Sequence, residues 1–425
     1  MPNVAGLSML CLAAASAAVA ATTLTDLRAV RLADLSVLPL PFTSRNYSSP
    51  WPALSAASSA EQPTSFNATF EPFNDAGRVI LGGSPKLTVL VHEQDYAFAH
   101  EAPVYFSRTD DVFFCSDAGG KQGRSNATVN NVVWRGKLAD LVEQASNGTP
   151  TLPHSALRKV NLTDAAGSEI QMTNGGTPYG DGHLLLANSG RGEELPGGLS
   201  LTSLAHGGAS RILLNNAFGK QFNAPNDVVV HASSGSIWFT DADYAQTQNF
   251  RPDVELPKAT WRFHPQTGDL DMVDASIVTP NGLVFSPNQR TLYITETGST
   301  QGGDLPNRPK IPAVIYAFDV VKDRLENKRL FAAVPTGIAD GIKVDIRGNV
   351  YACTADGLYA WSSAGRLLAR VYIPDGGCVN LAFVEPKGHL LVTAQTRLLL
   401  IELSGKEAVG PKLDGYPSAS KRISL

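Results

Sequence analysis

Three segments of the chain repeat one arrangement of polar and apolar positions: a turn bearing Asn or Asp, then a short apolar run that reads as a strand. They are Pro225-Asn226-Asp227-Val228-Val229-Val230, Pro280-Asn281-Gly282-Leu283-Val284-Phe285 and Ala339-Asp340-Gly341-Ile342-Lys343-Val344. A second strand follows each of them, over Ser236–Thr240, Thr291–Thr295 and Asn349–Thr354. Asn226, Asn281 and Asp340 lie 55 and 59 residues apart in turn. Three further units share the form. One runs from Glu101 to Phe106 and on to Asp117, one from Asn174 to Ala187, and one from Val379 to Thr393. Strand pairs such as Thr260–Phe263 and Val314–Phe318 fill the intervals. Two strands at each turn and two between turns predict an all-β fold, a six-bladed β-propeller with four-stranded blades. A two-sheet sandwich accounts for the alternation but not for the repeat.

The propeller pattern is expected over residues 88–425. Residues 21–87 are rich in Ala, Ser, Pro and Thr and read as a partly irregular leading segment. Residues 1–20 carry no charged side chain and end in Ala18-Val19-Ala20, the small-x-small form of a signal-peptidase site. Five sequons follow, at Asn46, Asn67, Asn126, Asn147 and Asn161. Together they predict a secreted, glycosylated chain. Of the four Cys, Cys11 leaves with the signal peptide; Cys115, Cys353 and Cys378 remain. Two readings stand: a Cys353–Cys378 disulfide between neighbouring repeats, or three buried thiols.

Composition narrows the function. The 425 residues are 43% hydrophobic and only 17% charged, with 38 Gly and 27 Pro, as suits an ordered, turn-rich fold. A net charge of -4 gives no footprint for nucleic acid or an anionic membrane. No stretch after the signal peptide is long and apolar enough to span a bilayer. There is no G-x-S-x-G elbow, no glycine-rich phosphate loop and no H-E-x-x-H, since His92-Glu93 and His100-Glu101 each lack the second His.

What remains is the repeated turn. In a propeller the innermost strands line a central channel, so the residues that start them gather at one mouth. Glu101, Asn226, Asn281 and Asp340 stand at those starts. Taken singly, each is an ordinary turn residue. Taken together, two carboxylates and two amide oxygens form a hard donor set suited to a divalent cation, Ca²⁺ above all, and not to zinc. Asn226, Asn281, Asn174 and His100 are the candidates for substrate contact. Asp117, Asp241 and Glu296 end second strands and read as blade-to-blade hydrogen-bond acceptors.

The runs Asn223–Val229, Ile237–Asp241, Pro280–Pro287, Ala339–Asp345 and Gly348–Tyr351 resemble the gluconolactonase, senescence-marker-protein and luciferin-regenerating-enzyme-like family. Leu213–Asn223 and Gly192–Pro196 are similar to the secreted fungal lactonohydrolases within it. The resemblance implies a six-bladed propeller with a divalent cation in the channel, held by Glu101, Asn226, Asn281 and Asp340. It implies that Asp340 is also the general base of a lactonase. Animal members have an Arg two residues before the first Asn, where this chain has Ala224, so the substrate stays open between an aldonolactone and a secondary-metabolite lactone. Two other readings accompany this one: an enzyme that opens, closes or isomerises a natural-product ring, and a non-catalytic binding propeller with a structural ion. Oligomeric state is not legible.

Overall fold

The structure, a computed structural model, describes residues 70–411 apart from 149–150, 153, 181, 206, 254, 300–309, 385–387 and 406–407. The expected signal peptide and the sequons at Asn46 and Asn67 lie outside the described residues. Six antiparallel sheets stand in a ring, a six-bladed β-propeller. The innermost strands, in blade order, are Glu101–Phe106, Thr173–Tyr179, Pro225–Val230, Pro280–Phe285, Ile342–Val344 and Asn380–Val384. Each touches the next around the ring, and the last touches the first.

The ring closes by a long-range strand pairing. Lys86–His92 is the outermost strand of blade 6 and pairs antiparallel with Arg397–Glu402 near the other end of the chain. Phe70–Pro72 adds a fifth strand to blade 5, against Leu367–Tyr372. The expected boundary at residue 88 therefore moves: the ring recruits strands that the sequence pattern leaves in the leading segment. Their partners lie some 300 residues away, so no local repeat reveals them. Among the described residues, no helix is long and apolar enough to cross a membrane.

Alternating side chains of each sheet bury against the neighbouring sheets, and the core divides accordingly. Each blade-to-blade interface has its own hydrophobic cluster. Phe113, Val104, Leu184 and Leu186 join blades 1 and 2; Phe239, Trp261 and Leu201 join blades 2 and 3. Trp238, Leu283 and Ile294 join blades 3 and 4; Ile315, Ile342 and Trp361 join blades 4 and 5. The remaining two, around Leu381 with Leu358 and around Leu391 with Phe114, complete the circle. Burial of each such side chain contributes about 1.5–3 kcal/mol, so stability is spread around the ring.

Among the described residues the cysteines form one disulfide, Cys353–Cys378, with a Cα–Cα distance of 5.0 Å, and one buried thiol, Cys115. The reading with three thiols is thereby corrected.

Phe70–Pro72 is held by more than its ladder. Arg370, 2% exposed, donates from Nε to Glu71 Oε2 at 2.7 Å and from Nη1 to Asp356 Oδ2 at 3.0 Å, while Glu71 is fully buried. Removing one partner of such a pair strands the other charge. Glu71→Ala is expected to destabilise the fold by about 3 kcal/mol or more in urea unfolding. A loss under about 1 kcal/mol would mean that Asp356 alone satisfies the guanidinium.

Candidate functional site

The six innermost strands begin at one mouth of the channel, and in four blades the start is distorted in the same way. Pro225 pairs with Asp241 and Val228 with Phe239, so two residues, Asn226 and Asp227, face one across the ladder. The same one-residue bulge places Asn281 and Gly282 in blade 4, Asn174 and Gly175 in blade 2, and Ala102 and Pro103 in blade 1. A bulge frees its residues from the alternation of the strand and aims them elsewhere, here at the mouth. This refines the expected equivalence. Glu101 occupies the paired position before the bulge, and Ala102, at φ 51°, takes the place that Asn226 holds in blade 3.

The carboxylates at the ends of second strands fix these starts. Asp241 accepts from the amides of Asn223 at 3.0 Å and Ala224 at 2.8 Å, on the connector that arrives from blade 2. Glu296 does the same for Val278 at 2.7 Å and Thr279 at 3.0 Å. Both hold the incoming connector of their own blade, and neither bridges two sheets. Asp117 differs: its Oδ1 lies 3.5 Å from His100 Nε2. His100 Nδ1 in turn meets Gln395 Oε1 at 3.0 Å.

The expected residues do gather. Burial and the Asp340 charge push Glu101 up to about 8, against the pull of His100 and of an Asn380 hydrogen bond. Burial likewise pushes Asp340 up to about 6, where His100 lowers and Asp227 raises it. Asp227 and Asp117 are also raised, chiefly by burial. Burial lowers the His100 pKa, but Asp117, Glu101 and Asp340 together outweigh it and the net direction is up. Four carboxylates therefore share one buried region with a single imidazole and, beneath them, Lys343. The carboxylates outnumber the cationic groups, and their raised pKa values mean that full ionisation needs a further positive charge.

Two oxygens have no protein partner. Asn226 Oδ1 and Asp340 Oδ1 are both buried and accept no hydrogen bond. An orphaned acceptor costs about 1–3 kcal/mol unless something else satisfies it. Among the described residues, no three His, Cys, Asp or Glu side chains are grouped to hold a metal ion. Any cation here thus draws on amide oxygens as well as carboxylates, a donor set that fits a hard divalent ion. Carboxylates held above their ordinary range and orphaned oxygens fit it too.

Three members of the mouth escape a reading of turns. Asn380, which begins the innermost strand of blade 6, donates from Nδ2 to Glu101 Oε2 at 2.7 Å. Asp227, beside Asn226, is 2% exposed and accepts from Val228 N at 2.8 Å. Tyr244 accepts from Asn281 Nδ2 at 3.0 Å and contacts Thr297 Oγ1. Asn174 supports the ring by donating to the Asn226 carbonyl at 3.1 Å. Ala224 is buried in a small apolar cluster with Ala118, Met172, Ala245 and Phe250.

The disulfide lies against the same mouth. Asp340 N donates to Cys353 O at 2.9 Å, Cys353 N to Gly341 O at 3.0 Å, and Gly341 N to Val379 O at 2.8 Å. Closing its 25-residue separation contributes about 3 kcal/mol. A Cys353→Ser/Cys378→Ser double variant is expected to lose about that much stability in urea unfolding. Unchanged stability would show that the ladder alone fixes this end of the mouth.

A family model described as the SMP-30/Gluconolactonase/LRE-like region matches residues 177–396, just over half of the chain. Lactonohydrolase oryL of Aspergillus oryzae is 32% identical over 339 residues, covering 75% of this chain and 70% of that one. A gluconolactonase structure from Xanthomonas campestris superposes with a TM-score of 0.59 at 25% identity, over 79% of this chain and 94% of that one. A structure from Agrobacterium tumefaciens described as the calcium-binding protein regucalcin shares the fold, with a TM-score of 0.51 at 17% identity, over 77% of this chain and 96% of that one. The chain belongs to the SMP-30/gluconolactonase/LRE-like family.

Proposed function

With that membership as premise, we propose that the chain is a lactonase that hydrolyses the ester bond of a small-molecule lactone at the channel mouth. Glu101, Asn226, Asn281 and Asp340 would hold a divalent cation, Ca²⁺ by the hardness of the donors. The single observation that carries the reading is the pair of buried, unpartnered oxygens, Asn226 Oδ1 and Asp340 Oδ1, set among carboxylates in excess. The lactonohydrolase and gluconolactonase relatives support lactone hydrolysis as the reaction.

When bound, the ion supplies electrophilic polarisation of a carbonyl oxygen and offsets the charge that grows there. The residues of the chain do the rest. Asp340, half-buried at the mouth, removes a proton from the attacking water as the water oxygen bonds to the lactone carbonyl carbon. The ring carbon–oxygen bond then breaks, and the proton passes to the departing ring oxygen. The product is a hydroxy acid. Glu101, anchored by Asn380, holds its place without swinging. Tyr244 fixes the Asn281 amide, and Asn174 steadies the Asn226 backbone. His100, between Asp117 and Gln395, is positioned to meet the polar edge of a substrate.

Ala224 bears on the substrate. Its side chain is packed in apolar surroundings and its amide is committed to Asp241. No cationic group from that position reaches a sugar carboxylate, which favours lactones recognised through other contacts. Asn126, Asn147 and Asn161 are exposed, and the chain contains a disulfide. Both support export, with glycans on those residues.

A panel of aldono-, aryl- and macrocyclic lactones, assayed with chelator and after Ca²⁺ is restored, tests the reading. Turnover should vanish with chelator and return with Ca²⁺; no turnover of any lactone or ester would leave the propeller a binding protein. Asp340→Asn should keep the circular-dichroism spectrum while kcat falls about 10²–10⁴-fold. Full activity in that variant would remove Asp340 as the base.

A further inference from the structure

The two halves of the central channel have opposite chemistry. Below the oxygen-lined mouth, the later residues of all six innermost strands enclose a cavity of about 140 Å³. Tyr105, Val229, Val230, Val284 and Phe383 form much of its wall. All five of these side chains are only half-buried, so apolar surface faces open space inside the ring. One charged residue, Lys343, lines the cavity among the described residues.

Lys343 is poorly matched by the protein. Its ammonium makes one hydrogen bond, 3.1 Å to the carbonyl of Ile342. Its charge favours the ionised form of Asp227 from a distance, but the Asp227 oxygens are engaged by the amides of Val228 at 2.8 Å and Leu283 at 3.4 Å. An ammonium on an apolar wall is stabilised by an anion that can reach it. A single cation on a largely apolar wall selects a ligand with one anionic head and an apolar tail.

We propose that the lower channel is a binding site for a linear aliphatic monocarboxylate, its head on Lys343 and its tail against the valine wall. The site is separate from the channel mouth and stands whether or not the lactonase reading does. A free fatty acid and the long-chain hydroxy acid released from an alkyl lactone carry the same chemistry, and both belong to the class.

Isothermal titration of the full chain with decanoate, 5-hydroxydecanoate, decanol and gluconate tests it. Decanoate should bind, decanol about tenfold or more weakly, and gluconate not at all. Comparable binding of 5-hydroxydecanoate would extend the site to the hydroxy acid; its rejection would restrict the site to the plain fatty acid. Lys343→Met should bring decanoate down to the level of decanol, and Ala232→Phe, which fills the lower end, should weaken both. Thermal melts establish that each variant is folded. Unchanged decanoate binding in Lys343→Met, or no binding to the wild type, overturns the proposal. So does competition by Ca²⁺ or loss of binding in Asp340→Asn, since either places the ligand at the mouth.

Discussion

Ring closure is the constraint on which the rest depends. Lys86–His92 completes blade 6 by pairing with Arg397–Glu402, and that pairing converts a row of sheets into a circle. Each blade alone would leave an apolar face and an open edge. The circle buries the faces in six separate clusters and points six strand starts at one place. It also has a consequence that no single blade would tolerate: Glu101, Asp117, Asp227 and Asp340 are brought into mutual influence in a buried region. Hydrophobic packing around the circumference stabilises a cluster of like charges at the centre.

The bulges explain how a regular sheet can present such a cluster. A strand in register alternates its side chains between two faces, and both faces of an inner strand are occupied by neighbouring blades. One extra residue at the start of the strand breaks that alternation for two positions. Asn226 with Asp227, and Asn281 with Gly282, are those positions. Glycine at 175 and 282 follows from crowding. A Cβ on Gly175 would stand 2.4 Å from the Asn226 carbonyl oxygen, and one on Gly282 would stand 2.4 Å from that of Asp340. The turn sequences at Asn226 and Asn281 are thus bulge sequences, fitted to how closely the inner strands approach one another.

This distinction accounts for what the sequence made legible. Pro-Asn-Asp and Pro-Asn-Gly stand out because the bulge demands small or turn-prone residues, Ala-Asp-Gly stands just before the inner strand of blade 5, and the spacing of the three reveals the blade. Blade 1 meets the same demand with Ala102 and Pro103 and places its carboxylate one residue earlier, so Glu101 emerges from counting units and not from its motif. Blade 6 pairs Asn380 with Thr393 and Leu381 with Val392 without a shift, and Asn380 carries no turn signature. Tyr244 comes from a short helix after a second strand, where no repeat points. The closing strand, Lys86–His92, has ordinary alternation and gives no sign of a partner at the far end of the chain. Local chemistry was readable wherever it recurred; what depended on closure or on a single blade was not.

The mouth and the lower channel can be understood as one gradient. Carboxylates sit at the mouth, and Lys343 lines the cavity below it together with Val229 and Val284. Lys343 follows Asp340-Gly341-Ile342 in the chain, so the strand that carries the proposed base also carries the counter-charge. A cation among the upper oxygens would relieve the repulsion among Glu101, Asp227 and Asp340. It would do so without altering the apolar wall, because the inner-strand residues separating the two, such as Ala102 and Val228, are packed between blades. The same close packing that forces glycine at 175 and 282 therefore insulates one half of the channel from the other, and two chemically different sites can occupy a single axis.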